Sequence, residues 1–225
     1  MMEHYDKEFC LEVWGDYACF TRPELKVERV SYDVITPSAA RAIFEAIFWK
    51  PAIKWQITKI EVLNPIQWTS IRRNEVGAVA TTRAKCIFIE EKRQQKNSLI
   101  LKDVRYRLYA KMIFIPHKDR QNEEREGGPD ENPGKYNAMF ERRASLGQCF
   151  NQPYLGTREF SASFELINPL DPGLNKPLSE DRDFGIMLYD MDFSNKKDIK
   201  ALFYHPEMRQ GIIIVPPIDS KEILR

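Results

Sequence analysis

The chain has 225 residues, of which 43% are hydrophobic and 30% are charged, a composition typical of a globular protein with a sizeable core. Lysine and arginine (34) nearly balance aspartate and glutamate (33), so the net charge is +1. This balance excludes a protein that coats long stretches of nucleic acid by overall charge. Any nucleic-acid role requires a local basic patch.

The sequence has only weak signals for a membrane span, a metal site or secretion. The charged residues after Glu3 are not followed by an apolar stretch, and the longest apolar run, 212–215, is far shorter than a membrane span. The four cysteines form no CxxC pair and have no metal-ligand spacing with the histidines. We therefore expect a cytoplasmic protein with no metal site and no membrane contact.

Two helices are predicted from their capping residues. Thr36 followed by Pro37 is typical of an N-cap with proline in the first turn, and the apolar periodicity behind them predicts a helix to about Trp49. After the Pro133-Gly134 pair, a second helix is predicted over residues 135–146 and ends at Gly147, a plausible C′ glycine.

Alternating apolar residues predict strands over 9–13, 53–62 and 104–115, the second with a change of facing near Thr58. Shorter strand-like segments follow the second helix at 158–166, 185–193 and 211–215. Together these elements predict an α+β chain with an N-terminal domain at 1–150 and a smaller β-rich domain at 151–225. Strands joined by two helices favour a ferredoxin-like N-terminal domain.

Basic residues are concentrated in the middle of the chain. Between Ser70 and Lys111 there are eleven basic residues and four acidic ones, and an acidic segment follows at 119–131. The strand over 104–115 has one apolar face, and its other face carries Arg105, Arg107, Tyr109 and Lys111. A cationic, aromatic sheet face is typical of RNA binding, but a charged hairpin in solvent or an ordinary exposed face has the same pattern.

Several long strings point to one known family. They are VWGDYACFTRPE (13–24), KVERVSYD (26–33), PSAAR (37–41), WKPAI (49–53), IRRNEV (71–76) and LGTREF (155–160), with shorter matches at 134–135, 142–144 and 147–148. In this order, over nearly the whole chain, they resemble the type I-C Cas-five family of the repeat-associated RNA-binding superfamily.

This resemblance implies a ferredoxin-like (RRM-like) N-terminal domain with a small antiparallel β-rich extension, and binding to the repeat-derived 5′ handle of CRISPR RNA. It also implies assembly with the backbone and large subunits of a Cascade interference complex, which meets target DNA through the guide. Family members of this type cut the precursor RNA without a metal or other cofactor: the ribose 2′-hydroxyl attacks the adjacent phosphate.

The family's catalytic positions correspond here to Phe48, Lys135 and Tyr136. Lys135 retains the phosphate-holding cation, whereas Phe48 cannot transfer a proton. Tyr136, with an unperturbed pKa of about 10, is a poor base at neutral pH but can act as an acid or an orienting group. His117 is a further candidate for the base, and a surface histidine is the alternative.

Three hypotheses follow from these residues. The protein is a ribonuclease with a remodelled site, a non-catalytic subunit that caps the guide RNA, or, if the resemblance is coincidental, a small β-rich binding domain. Arginine suits phosphate, and aromatic rings suit unstacked bases. The predicted RNA-binding residues are Arg22, Lys26, Arg29, Arg72, Arg73 and Arg158, with Tyr32 and Trp49 as stacking surfaces. For Trp49, core packing is the alternative.

Overall fold

A computed structural model describes residues 6–25, 28–79, 81, 86–120, 131–193 and 198–225. Its strands are β1 (Glu8–Ala18), β2 (Arg29–Val30), β3 (Ile53–Val62), β4 (Gln67–Val76), β5 (Arg93–Phe114), β6 (Ser163–Leu166), β7 (Arg182–Asp183), β8 (Met187–Asp192), β9 (Lys200–Tyr204), β10 (Glu207–Arg209) and β11 (Ile212–Ile214). Its helices are α1 (Pro37–Ile47), α2 (Ile89–Lys92) and α3 (Pro133–Ser145).

The long strand β5 is the axis of the main sheet. Its first half pairs with β4 and, in parallel, with β2, whereas its second half lies between β1 and β3 in antiparallel register. The strand order through this sheet is β6-β1-β5-β3-β11-β10-β7. β8 and β9 form a separate antiparallel pair.

Helices α1 and α3 cover one face of the sheet and meet over an aromatic core. The ring of Phe44 on α1 lies 4.9 Å from Trp55 of β3, and Phe140 on α3 lies 4.7 Å from the same ring. Phe9 of β1 completes the cluster, 4.7 Å from Phe140. Each aromatic side chain buries about 150–250 Å². This cluster therefore fixes both helices against the strands.

The capping chemistry confirms the two predicted helices. The Thr36 hydroxyl accepts a hydrogen bond of 3.3 Å from Ala39 N–H, and α1 begins at Pro37. The helix ends at Ile47, two residues earlier than predicted. α3 begins two residues earlier than predicted, since Asn132 supplies its cap, and Gly147 adopts the expected left-handed conformation at φ +64°.

The strand predictions are confirmed in type and differ in extent. The register of β3 shifts between Ile57 and Lys59, which is the predicted change of facing at Thr58. The strand predicted from Val104 begins earlier, at Arg93, and it passes through Asp103, whose φ is +53°. The sequence pattern also missed β4, whose residues are mostly polar and partly exposed.

The architecture is mixed, mostly antiparallel sheet with few helices, in agreement with the α+β class. The division at residue 150 stays a prediction. Strands from both sides of that residue share the main sheet, because β6 pairs with β1 and β11 pairs with β3. In the described residues, none of the helices has the length and apolar character needed to cross a membrane.

Candidate functional site

The first turn of α3 presents Lys135 to solvent. The Asn132 side chain caps this turn by accepting a hydrogen bond of 2.9 Å from the backbone N–H of Lys135. The backbone N–H of Gly134, in the same first turn, has no acceptor within the helix. Among the described residues the Lys135 side chain makes no ion pair. A positive charge and a backbone donor at a helix N-terminus are therefore available to a phosphate.

Phe48 and Tyr136 lie side by side in the interior. Their ring centroids are 6.3 Å apart, and Phe114 flanks Tyr136 on another side at 6.0 Å. Phe48 is 1% exposed and Tyr136 is 8% exposed. The Phe48 carbonyl also accepts a hydrogen bond of 2.9 Å from the Trp55 indole, which fixes the end of α1. The fold thus brings the two positions together next to Lys135, with both rings covered.

A buried ion pair holds the Tyr136 hydroxyl. Arg120 Nη1 lies 2.9 Å from Glu131 Oε1, and the same carboxylate oxygen accepts a hydrogen bond from the Tyr136 hydroxyl. Arg120 is held in turn by two hydrogen bonds to the Ile115 carbonyl, of 2.9 and 2.7 Å. Burial acts to raise the pKa of Glu131, but the hydrogen bonds from Arg120 and Tyr136 outweigh it and the pKa is lowered.

This environment decides what Tyr136 can do. Burial, and then the hydrogen bond and charge of Glu131, raise the pKa of Tyr136 to about 12. The phenolate form of Tyr136 is negligible at neutral pH, and its hydroxyl already donates a hydrogen bond to Glu131. The side chain is therefore unsuited to act as a base. His117 is exposed on a short 3-10 turn (His117–Asp119), and it lies near enough to Glu131 to help lower that carboxyl pKa.

Arg22 and Tyr32 form an internal stack. The Arg22 guanidinium lies 4.6 Å from the centroid of the Tyr32 ring, and its Nη2 donates to Asp33 at 2.9 Å. Tyr32 is 1% exposed, and its hydroxyl accepts a hydrogen bond from Leu188 N–H. A base can reach the Tyr32 ring only if Arg22 moves away.

Of the other arginines predicted to bind RNA, some are held in ion pairs and some are not. Arg29 Nε lies 2.9 Å from Glu75, and Arg73 pairs with Glu159. Arg72, which directly precedes Arg73 on β4, is exposed and makes no ion pair with any residue that the structure describes. Lys26 lies outside the described residues. Arg72 is therefore the strand arginine that needs no rearrangement to meet a phosphate.

Trp49 and Arg158 line one surface groove of about 630 Å³. Phe150 and Tyr154 line it as well, and we call this site the aromatic groove. Trp49 is 53% exposed, so the alternative that it packs in the core is wrong. The fold thus brings Trp49 and Arg158, both predicted to bind RNA, to one surface site.

Arg107, at the centre of the cationic face of β5, belongs to a buried ionic cluster. Arg107 is 4% exposed, and its Nη1 donates to Glu61 at 2.7 Å while its Nη2 lies 3.3 Å from Glu12. The Asn175 carbonyl covers the same guanidinium at 3.0 Å. Arg105 also pairs with Glu12. The interpretation of this face as an RNA surface is therefore wrong for Arg107, and so is the alternative of an exposed face.

Comparison with known proteins identifies the family of this chain. The family model described as CRISPR-associated protein (Cas_Cas5), in its Cas5d form, matches residues 9–216, which is most of the chain. The chain belongs to the Cas5d family. A curated Cas5d relative, the CRISPR pre-crRNA endoribonuclease Cas5d of Mannheimia succiniciproducens, is 47% identical, and the match covers 96% of this chain and 97% of the relative.

Solved structures share the fold of this chain. A crystal structure of a CRISPR-associated protein superposes with a TM-score of 0.70 at 23% identity, covering 97% of both chains. A chain of a CRISPR RNA-guided surveillance complex gives a TM-score of 0.51 at 13% identity, covering 94% of this chain and 90% of that one.

Sequence reasoning missed two residues of this Cas5d site, Arg120 and Glu131. Both belong to the polar segment around the acidic loop, where Glu131 is one acid among several. Its position one residue before the Asn132 cap was the available signal, since that spacing places its carboxylate beside the first turn of α3.

Proposed function

We propose that this protein is a pre-crRNA endoribonuclease of a type I-C CRISPR system and that it stays bound to the repeat-derived 5′ handle after cleavage. The observation that carries this proposal is the exposed Lys135 in the first turn of α3, beside the Phe48–Tyr136 pair. The curated relative that is 47% identical carries this activity in its name.

Cleavage by the 2′-hydroxyl requires three groups. A base takes the 2′-hydroxyl proton as the 2′-oxygen bonds to phosphorus, a cation holds the phosphate oxygens, and an acid protonates the 5′-oxygen as its bond to phosphorus breaks. Lys135 and the Gly134 N–H are suited to the phosphate. Phe48 cannot contribute a proton.

We assign the base to His117, whose protonated imidazole then gives its proton to the leaving 5′-oxygen, and an orienting role to Tyr136. The pKa of about 12 and the hydrogen bond to Glu131 remove Tyr136 from base catalysis. The same hydrogen bond ties the first turn of α3 to Arg120, so Tyr136 fixes where the Lys135 ammonium stands. His117 is exposed, and it lies close enough to Glu131, the hydrogen-bond partner of Tyr136, to act on that carboxyl pKa.

The second candidate function is a subunit that caps the CRISPR RNA without cutting it. The burial of both Phe48 and Tyr136 favours it, because neither ring presents a proton-transferring group to solvent. In this case Lys135 holds a phosphate of the handle and no bond breaks.

Incubation of the purified protein with its own repeat RNA in EDTA separates the two candidates. A discrete cut that ends in a cyclic phosphate, and that Lys135→Ala abolishes, supports the ribonuclease. Tight binding with intact RNA supports the capping subunit. Lys200→Ala is a matched control, because that lysine is exposed and lies far along the chain on β9.

We further infer that the N-terminal part is ferredoxin-like and that the protein joins a Cascade complex. The order β6-β1-β5-β3, with α1 after β1 and α3 after β5, is the antiparallel order that a βαββαβ unit requires. The fold similarity to a chain of a CRISPR RNA-guided surveillance complex supports the assembly, with backbone and large subunits as partners and target DNA met through the guide.

A further inference from the structure

The aromatic groove lies where the end of α1 meets the chain that follows α3. Three aromatic side chains line it: Trp49 is 53% exposed, Phe150 is 78% exposed and Tyr154 is 38% exposed. Single exposed apolar residues are ordinary on a protein surface, but a cluster of exposed rings around one concave site indicates a ligand.

Hydrogen bonds hold the walls of the groove in place. The backbone N–H groups of Phe150 and Asn151 both donate to the Ala46 carbonyl near the end of α1, at 2.9 and 3.0 Å. The Gln152 side chain donates to the Ala162 carbonyl at 3.0 Å and so ties the loop to its return segment. The exposed rings therefore stand on a fixed frame, and little ordering is required when a ligand binds.

The groove carries positive charge at one end. Arg158 is exposed and has no carboxylate partner among the residues that the structure describes. The acidic residue of the lining, Glu45, already pairs with Arg41 at 2.6 Å. An anion can therefore approach Arg158 without meeting an uncompensated carboxylate.

We propose that the aromatic groove binds one unstacked nucleotide of the single-stranded RNA next to the cleavage site. Trp49, Phe150 and Tyr154 offer rings for stacking with the base, the exposed Asn151 amide offers a donor and an acceptor for the base edge, and Arg158 meets a phosphate. This inference rests on the proposed function and names where a second part of the RNA is held.

The position of the groove agrees with this role. Trp49 directly follows Phe48, whose ring lies 6.3 Å from Tyr136, the residue after Lys135. A second groove shares Ala42 and Tyr154 with the first and is lined by the hydroxyl-bearing Thr21 and Ser38. Its hydroxyl groups suit the ribose and phosphate of the next nucleotide.

An apolar segment of a partner protein is the competing occupant. It would fill the space between the rings but leave the Arg158 charge unused, whereas a nucleotide uses both. The charge beside the rings therefore favours RNA.

The test measures equilibrium binding of the full-length protein to its own fluorescently labelled repeat RNA. We expect Trp49→Ala and Phe150→Ala each to raise the Kd by about 5- to 150-fold, the range for loss of one stacked base. Trp49→Phe and Phe150→Tyr retain a ring and should stay close to wild type. Phe193→Ala, which removes an equally exposed ring outside the groove, should leave the Kd unchanged.

A second readout locates the base. Repeat RNA that carries 4-thiouridine should crosslink on irradiation to peptides that contain Trp49 or Phe150, at a single nucleotide position. If the wild-type protein binds and cuts the RNA but the groove variants bind it equally well, this inference is wrong and the proposed function stands. If the wild-type protein neither binds nor cuts the repeat RNA, both are wrong.

Discussion

Arg120 and Glu131 are eleven positions apart in the sequence and form an ion pair of 2.9 Å in which the Arg120 side chain is fully buried. The pair lies beside the first turn of α3, where Glu131 accepts a hydrogen bond from the Tyr136 hydroxyl. The position of Lys135 therefore depends on an ion pair that also stabilises the fold.

Glu131→Gln should destabilise the protein by about 3–5 kcal/mol at pH 7, because it removes the carboxylate that lies 2.9 Å from the buried Arg120 guanidinium. The folded-state pKa of Glu131 is depressed, so its contribution is present above the ordinary glutamate pKa of about 4.3 and is lost as the pH falls through the lower, folded value. Urea unfolding at several pH values should show that the difference in the free energy of unfolding between wild type and Glu131→Gln becomes smaller in acid.

The control for this prediction is Glu141→Gln, whose exposed pair with Lys7 should contribute about 1 kcal/mol or less. A gap between wild type and Glu131→Gln that stays constant from pH 7 down to pH 3 would contradict the assignment.

Tyr136→Phe should lower the cleavage rate by less than about tenfold, since the phenol is buried and donates to Glu131. His117→Ala should lower it by about 10²- to 10⁴-fold, the usual contribution of a general base. Single-turnover cleavage of the repeat RNA measures both. A loss of more than about a hundredfold in Tyr136→Phe, with an unchanged unfolding midpoint, would mean that the hydroxyl takes part in the reaction.

Arg107→Ala should destabilise the protein by about 3–5 kcal/mol and leave its affinity for RNA unchanged, because the guanidinium is buried between Glu12 and Glu61. Arg105→Ala is the matched change on the same strand face and should cost much less, since that side chain is 36% exposed. Denaturant unfolding and RNA titration of the same preparations provide the measurements. Weaker RNA binding by Arg107→Ala would restore the RNA-surface interpretation of this face.

Arg72→Ala should weaken RNA binding and reduce the slope of log K against log salt by about one, as expected when one phosphate contact is lost. Arg22→Ala should mainly lower stability, because Arg22 is held by Asp33 and stacks on Tyr32. Binding isotherms at four salt concentrations separate the two effects. Equal slopes for Arg72→Ala and wild type would show that this arginine does not meet the RNA.

Local chemistry made the helices predictable. Thr36 and Gly147 act on backbone groups within a few residues, so their roles could be read directly from the sequence. The bulge in β3 at Thr58 was predictable for the same reason, since the alternation changes phase there.

The burial of Arg107 on the cationic face of β5 was not predictable, because its partners are distant in the chain. Glu12 is 95 positions away and Glu61 is 46 positions away. A pattern of alternation shows that Arg107 leaves the apolar face, but it cannot show that two carboxylates and the Asn175 carbonyl lie on the other side. The Arg120–Glu131 pair was not predictable either: the position of Glu131 before the Asn132 cap places its carboxylate near α3, but it does not show that Arg120, eleven residues earlier, lies against that carboxylate.

The pairing at the edges of the main sheet limits when the protein can fold during its synthesis. β6 covers the outer edge of β1, and β11, at residues 212–214, covers the outer edge of β3. A nascent or truncated chain that stops near residue 150 would expose two unpaired strand edges, which are templates for intermolecular association. Completion of the sheet must therefore wait until residues 212–214 have left the ribosome.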